Sequence, residues 1–567
     1  MTISVPLREQ IAALIRVGLQ DAQTSGALPA FDLPEIISVD QSRHEAHGDY
    51  ASPVCMGLSR VLHRAPLQIA QAVAQSIPAA DFIAQVEVAP PGYLNFTLAN
   101  AWVARQTPII LAAGESWGNV ALGSGQRVQV EFVSANPTGP ITIGSARNAV
   151  IGDTLAAVLE AAGYTVEREY YVNDGGSKVR NFGASILARY AHLFGVDVPF
   201  PEQGYPATYV TELAQRAQAE FGARYLTQDR DAAIHALGVW GIARILDGVR
   251  DDLAQLRVHF DTWFSEKSLY ESGLFDAMLA KLRDGGYILE YGGATWFHHP
   301  DLEKDAVLIR SPQVVPTPED RPTYLASDIA YLWNKVVLRG FDKAIYVWGA
   351  DHHGDVPRVQ AAAKALGVDV NRLVFILYQM VTLLRGGQEV RMSKSSGEFV
   401  TLRELVDEIG PDPIRFMLLT RTVDVTIDFD LDLAVEQSDR NPVYYVQYAH
   451  TRIAGVLRKA VEAGYALDVP GDPTLLTHPS ELALVRKMLA LPEIITLAAT
   501  AMAPHSLTVY ATELAALFHA FYRDCRIVST APEEVALTQA RLMLARAAQH
   551  VLARVLHLMG MDAPERM

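Results

Sequence analysis

The sequence predicts a multidomain α/β protein: a split nucleotide-binding domain of parallel βαβ units with a helical insertion, a small α+β domain before it and an all-α bundle after it. Three observations carry this. The β-rich run VQVEFV (128–133) is followed at once by Asn136-Pro137-Thr138-Gly139-Pro140 and a helix-like stretch, the order strand, tight loop, helix. The alternation is lost over a long helical middle and resumes at KAIYVWGAD (343–351). From about residue 425 onward the pattern is almost entirely helical. At 567 residues the chain far exceeds one core, and roughly 150 residues per domain gives three or four units.

Residues 1–115 open with apolar positions at helical spacing (Ile11, Leu14, Ile15, Leu19). They go on to alternate in QVEVAPPGYLNFTLAN (85–100), where Pro90-Pro91-Gly92 breaks two strands apart. A glycine-rich hinge, Gly118 to Gly125, leads into the second domain, 116–424. Within it, residues 127–173 read as a right-handed βαβ unit: the 128–133 strand, a helix from Ser145 to Ala162, and YTVEREYYV (164–172). The insertion occupies about 177–310. The second half-sheet comes in KAIYVWGAD, AAAKALG (361–367) and LVFILYQMV (373–381). In the third domain, 425–567, YYVQYAHTRIAGVLRKA (444–460) and LMLARAAQHVLARVLHLMG (542–560) are long helices. No internal repeat appears.

Composition narrows the function. Half the residues are hydrophobic and a fifth are charged, as in globular proteins. No uncharged apolar run approaches the roughly 18 residues needed to cross a bilayer, so no membrane association is expected. The N-terminus lacks an apolar signal region, and Cys55 and Cys525 form no CxxC pair, which fits a reducing cytoplasm without disulfides or a thiolate zinc site. A net charge of -16 argues against indiscriminate nucleic-acid binding, although a local basic surface can coexist with an acidic total.

Two segments carry chemistry. In ANPTGPITIGSARNAVIGD (135–153) a glycine-marked turn feeds a helix after a buried strand, offering backbone N–H groups and the positive helix end to a phosphate. An ordinary turn with Gly144 chosen for close packing explains this segment equally well by itself. In Arg391-Met392-Ser393-Lys394-Ser395-Ser396-Gly397, a lysine among small hydroxyl residues makes a cationic loop able to fold over a polyphosphate and stabilise a departing pyrophosphate.

With these residues in view, the chain resembles the class I aminoacyl-tRNA synthetases. RMSKS (391–395) is similar to their KMSKS signature, and VEFVSANPTGP (130–140) looks like the arginyl family specifically. HGDYASPVCMGL (47–58) and PPGYLNF (90–96) resemble its tRNA-elbow-binding domain. YYVNDGGSKVRNF (170–182) and WGADHHGDVPRVQAA (348–362) resemble catalytic segments, while RNPVYYVQYAHTRI (440–453) and LHLMGMDAPERM (556–567) resemble the helical anticodon-binding domain. The resemblance implies ATP-dependent ligation of L-arginine to tRNA(Arg) through an arginyl-adenylate in a Rossmann-type catalytic domain. ATP and Mg²⁺ would be required, and a cytoplasmic monomer is expected.

Residue by residue, it implies an arginine pocket of Glu131, Asn136, Glu266, Tyr324 and Asp328. Carboxylates suit a planar, permanently charged guanidinium, and Tyr324 and Asp328, four apart, share one helix face. ATP falls to Thr142, Gly144, Ser145, His352, His353, Met392, Ser393, Lys394 and Ser395, with Lys394, Thr142 and Ser145 catalytic. Paired histidines at 352 and 353 equally suit a solvated helix start, and no resident metal centre is expected. Tyr444, Tyr445 and Tyr448 would meet the tRNA, with helical core the expected place for at least one of them.

The chain departs from the family at its HIGH motif, where Thr142-Ile143-Gly144-Ser145 stands without either histidine. A charge-assisted contact of roughly 1.5–3 kcal/mol then becomes a neutral one of about 0.5–1.5 at each position. This leaves two expectations: a working ligase in which Thr142, Ser145 and the helix N-terminus suffice, or a catalytically degenerate paralogue retained as a tRNA- or arginine-binding regulatory module.

Overall fold

The computed structural model describes residues 5–42, 44–390 and 400–567. In the amino-terminal unit, strands β1 (Asp40–Gln41), β2 (Tyr50–Ser52), β3 (Ile83–Ala89) and β4 (Tyr93–Leu98) pair antiparallel in the order β1-β2-β4-β3. The break at Pro90-Pro91-Gly92 separates β3 from β4, as expected. Helices α2 (Val54–Leu62) and α3 (Pro66–Ser76) pack on this sheet, and α1 (Leu7–Thr24) packs on α3. Ile11, Ile15 and Leu19 are fully buried because their spacing puts them on one face of α1. Helix α4 (Asn100–Ala113) leads out of the unit.

The expected βαβ unit comes next as β5 (Arg127–Glu131), α5 (Ile143–Ala161) and β6 (Thr165–Val172), with β5 and β6 parallel neighbours. Alternating Val128 and Val130 are fully buried, and Gly152 lets α5 lie against the sheet, since a Cβ there would run into the Phe132 ring. Helices α6 (Gly176–Leu193), α7 (Thr208–Phe221) and α8 (Arg230–Gln255) succeed it. By length and composition α8 could cross a membrane, but here it packs along α6 with Leu237, Ile242 and Val249 buried.

The stretch 177–310 is not wholly an insertion. Strand β7 (Thr262–Ser265) pairs parallel with β6 and is the edge of the main sheet. With only four residues between helices, it gives no readable alternation. Helices α9 (Lys267–Glu271) and α10 (Leu274–Asp284) precede a separate antiparallel sheet of β8 (Ile288–Tyr291), β9 (Ala294–Phe297) and β10 (Ala306–Ile309). Helix α11 (Tyr324–Trp333) then leads through one π-helical turn, Asn334–Leu338, to β11 (Lys343–Gly349), α12 (Val356–Ala365) and β12 (Leu373–Tyr378). The completed parallel sheet has the order β12-β11-β5-β6-β7.

Strand β13 (Val381–Arg385) pairs with β14 (Gln388–Glu389) and, beyond α13 (Leu402–Ile409) and α14 (Pro411–Leu418), with β15 (Ile427–Asp430). Strand pairing therefore crosses residue 424. After α15 (Leu431–Val435), the rest is helical: α16 (Pro442–Glu462), α17 (Pro479–Leu489), α18 (Leu491–Thr500), α19 (Ser506–Asp524) and α20 (Val535–Leu558).

Candidate active site

A cleft of about 830 Å³ opens at the carboxyl end of the sheet, between β5 and β11, where the connectivity reverses direction. Asn148, buried on α5, ties the two strand ends together. Its Nδ2 donates to Val347 O at 2.8 Å, and its Oδ1 accepts the Val133 N–H at 2.7 Å. Val133 (φ 64°) and Ser134 (φ 40°) are left-handed, a costly state for a β-branched residue that persists only where neighbours hold it.

One wall of the cleft is acidic. Glu131 ends β5 nearly buried, with Lys335 Nζ 2.5 Å from Oε2 and Ser134 Oγ donating to Oε1 at 3.1 Å. Tyr324 and Asp328 share a face of α11, as their spacing predicts, and Asn136 completes the group lining the same cleft. Glu266 lies in an adjoining recess together with Tyr324, and Ser327 Oγ joins the two spaces by donating to Glu266 Oε1 at 2.6 Å. Burial, then the charges of Glu131 and Glu266, push the Asp328 carboxyl well above the usual carboxylate range. Burial raises Glu266 as well, opposed by its bond from Ser327. Such a wall favours a cation that arrives to share these charges.

The other wall is built for an anion. Thr142 caps α5 without using its side chain, and Ser145 lines the cleft one turn in. A Cβ on Gly144 would meet only Thr142 Oγ1, at 3.9 Å, so this glycine leaves the helix N-terminus open and is not a packing residue. The packing role belongs to Gly152. His352 lines the cleft beside Trp348, the ring centroids 5.8 Å apart, whereas His353 turns its Nδ1 to Ala350 O at 3.2 Å and lies outside the lining.

Met392, Ser393, Lys394 and Ser395 lie outside the described residues. The chain just beyond residue 400 is anchored at this site: Thr401 bridges Thr142 in antiparallel fashion, and the Leu402 N–H donates to Ile141 O at 2.8 Å.

Far from the cleft, Tyr444, Tyr445 and Tyr448 line one recess of about 290 Å³ with Asp439, Arg452 and His519. The Tyr444 and Tyr448 rings are parallel within 9° at 5.8 Å, and the Arg452 guanidinium covers Tyr448 at 4.6 Å. Tyr445 packs partly against the core and against His519 at 4.9 Å, the core role expected of one tyrosine.

Sequence reasoning missed Asn148, Lys178 and Lys335. Lys178 Nζ lies 3.0 Å from Asn136 Oδ1 and 4.9 Å from the Tyr324 ring centre. Lys335 comes seven residues after Asp328, two helical turns, in an otherwise apolar run, a signal that could have found it.

Known proteins share this sequence and fold. The family model described as the arginyl tRNA synthetase N terminal domain matches residues 9–98. That for the catalytic domain of class I (R) tRNA synthetases matches 106–197, and the DALR anticodon binding domain matches 446–567. The arginine–tRNA ligase of Dehalococcoides mccartyi (strain CBDB1) is 44% identical over 569 aligned residues, covering 100% of both chains. That of Heliobacterium modesticaldum is also 44% identical, covering 99% of each. The crystal structure of Thermus thermophilus arginyl-tRNA synthetase shares the fold at a TM-score of 0.75 and 24% identity, covering 99% of this chain and 100% of that one.

Proposed function

The chain belongs to the arginyl-tRNA synthetase family and ligates arginine to tRNA at the expense of ATP, and on that premise we propose how its residues divide the work. The observation that carries the assignment is the acidic wall: Glu131 and Asp328 with Tyr324 in one cleft, and Glu266 bonded to it through Ser327. The guanidinium lies over Tyr324 and is shared by Asp328 and Glu266, while Asn136 and Glu131 take the amino-acid backbone end. ATP lies toward Trp348 and His352, its phosphates against the open N-terminus of α5 at Thr142, Gly144 and Ser145, with Met392, Ser393, Lys394 and Ser395 closing over them. His353 takes a smaller part than its neighbour. Mg²⁺ brought in on the polyphosphate itself would supply charge screening to the leaving pyrophosphate.

In the first step the arginine carboxylate attacks the α-phosphorus in line, and the bond to pyrophosphate breaks. Positioning and fixed charge do most of this work, with Lys394 supporting the leaving group. A ribose hydroxyl at the tRNA 3′ end then displaces AMP from the adenylate. The loss of both HIGH histidines is met by backbone N–H donors, which the open Gly144 exposes. Nothing favours the regulatory-module reading.

We divide the chain as 1–115 at the tRNA elbow, 116–424 for catalysis together with β15, which pairs back onto β13, and the helices beyond it to 567 at the anticodon, with Tyr444, Tyr448 and Arg452 as the base-stacking surface. We take the chain to be a cytoplasmic monomer free of membranes; the free, buried Cys55 and Cys525 support the reducing compartment. The test is ATP–pyrophosphate exchange with arginine, with and without tRNA, and then arginyl-tRNA formation. Turnover near one per second is typical of enzymes and supports the assignment, while tRNA binding without any adenylate would overturn it.

A further inference from the structure

Glu131 is the innermost carboxylate of the cleft, and its partner is an unusual one. The Lys335 side chain is fully buried, and its ammonium lies 2.5 Å from Glu131 Oε2, between the Tyr331 and Tyr346 rings at 3.8 and 3.9 Å from their centres. Those ring faces are the only kind of apolar surface that attracts a cation. Lys335 reaches this position from the π-helical turn after α11, the segment that also carries Tyr324 and Asp328.

Behind the pair, Glu169 is fully buried, accepts from Gln129 and Tyr331, and pairs with Arg339, which also meets Glu167 near the surface. The network behind the cleft therefore sets Glu131, Glu167 and Glu169 against Lys335 and Arg339, three acids and two bases, with Lys335 the fully buried cation on Glu131. On the cleft side Asp328, Glu266 and, at the start of α12, Asp355 act on the same space, with Lys178 at its rim. With Glu131 held by Lys335 at the amino-acid backbone end, the charge left for the guanidinium is that of Asp328 and Glu266.

We propose that Lys335 is a positioning residue of the arginine site: its ammonium pairs with the Glu131 carboxylate and fixes it at the cleft, so that the charge of Asp328 and Glu266 is left for arginine. The proposal rests on the reading of Glu131, Asp328 and Glu266 as the arginine wall. Burial lowers the Lys335 pKa while Glu131 and Glu169 oppose that, consistent with an ammonium that persists only as half of this pair. Without it, a third uncompensated carboxylate stands beside Asp328, and the wall holds a proton to higher pH.

The test is arginine affinity against pH, by calorimetry on the full-length protein. In Lys335→Met the midpoint of the pH dependence moves up by about one pH unit, affinity at neutral pH falls about tenfold, and raising the pH restores it toward the parent. Lys335→Arg keeps the parent midpoint. In the Glu131→Gln/Lys335→Met double variant neither charge is left unpaired, and the midpoint returns to the parent value. An unmoved midpoint in Lys335→Met, with binding weakened equally at every pH, would make Lys335 a packing element and overturn the proposal. If Lys335→Met does not fold, the double variant decides: a parent-like midpoint supports the pairing, and a lowered one, as loss of an unpaired carboxylate gives, overturns it. Glu131→Gln alone examines the underlying site. Parent-like arginine affinity there removes Glu131 from the wall, a failure distinct from an unmoved midpoint in Lys335→Met.

Discussion

Asp328 shows how a single residue can serve as both pocket and pH gauge. Its carboxyl is held well above the ordinary range, first by burial and then by Glu131 and Glu266, yet only its ionised form pairs with a guanidinium. Below that raised pKa, arginine must displace a proton, so affinity rises about tenfold per pH unit and levels off above it. Calorimetry in buffers of differing ionisation enthalpy should detect the released proton, and an affinity that is already flat from the ordinary aspartate range of about pH 4 upward would contradict this. Asp328→Asn should reduce the slope to what Glu266 leaves and weaken arginine about 100-fold, near 3 kcal/mol, while ATP binding stays close to the parent. At the opposite wall, Gly144→Val puts a branched side chain into the open space at the α5 N-terminus. Stability should stay within about 1 kcal/mol, because among the described residues only Thr142 Oγ1 lies near, while adenylate formation slows at least tenfold. Equal loss of stability and rate would return Gly144 to the packing role.

At the scale of elements, local pattern was enough to read α1, which buries one regular face, the β3–β4 break, marked by Pro90-Pro91-Gly92, and the β5–α5–β6 unit, whose first strand and helix are buried nearly throughout. Strand β7 was not readable, since its four residues are specified by pairing with β6 rather than by their own pattern. The site divides in the same way. Tyr324 and Asp328 were legible from helical spacing with the family resemblance, and Glu131 and Glu266 from the resemblance alone. Asn148 was not legible, because its role joins strands more than two hundred positions apart in the chain and exists only once the sheet has closed. Its replacement measures that role. Asn148→Ala leaves the Val133 N–H and the Val347 carbonyl unpartnered and releases a left-handed Val133, which should cost roughly 2–4 kcal/mol. Asn148→Asp still accepts from Val133 but cannot donate to Val347, so it should fall between, by denaturant unfolding with turnover measured in parallel. Full stability in Asn148→Ala would mean that the strand ends hold themselves.

The whole molecule joins its two terminal units directly, and a single buried carboxylate lies at that joint. Glu493, 2% exposed near the start of α18, accepts the Arg8 N–H at 3.0 Å, the Arg8 guanidinium at 3.2 Å and the Tyr50 hydroxyl at 3.0 Å. Arg486 on α17 adds an ion pair to Asp49 at 2.7 Å and donates to Asn100 Oδ1 at 2.7 Å. The unit proposed for the tRNA elbow is thereby fixed on the unit proposed for the anticodon, and a long nucleic acid gripped at both ends depends on their spacing. Glu493→Ala strands the buried Tyr50 hydroxyl and should cost roughly 2 kcal/mol, while Glu493→Gln retains an acceptor and should cost less. The side-chain partners of Glu493 are Arg8 and Tyr50, neither among the described residues that line the catalytic cleft, so arginine affinity measured without tRNA should match the parent. The KM for tRNA should rise about tenfold or more in Glu493→Ala and recover partly in Glu493→Gln. A parent-like KM for tRNA in a folded Glu493→Ala protein would mean that the two units grip the nucleic acid independently, and that the buried carboxylate serves stability alone.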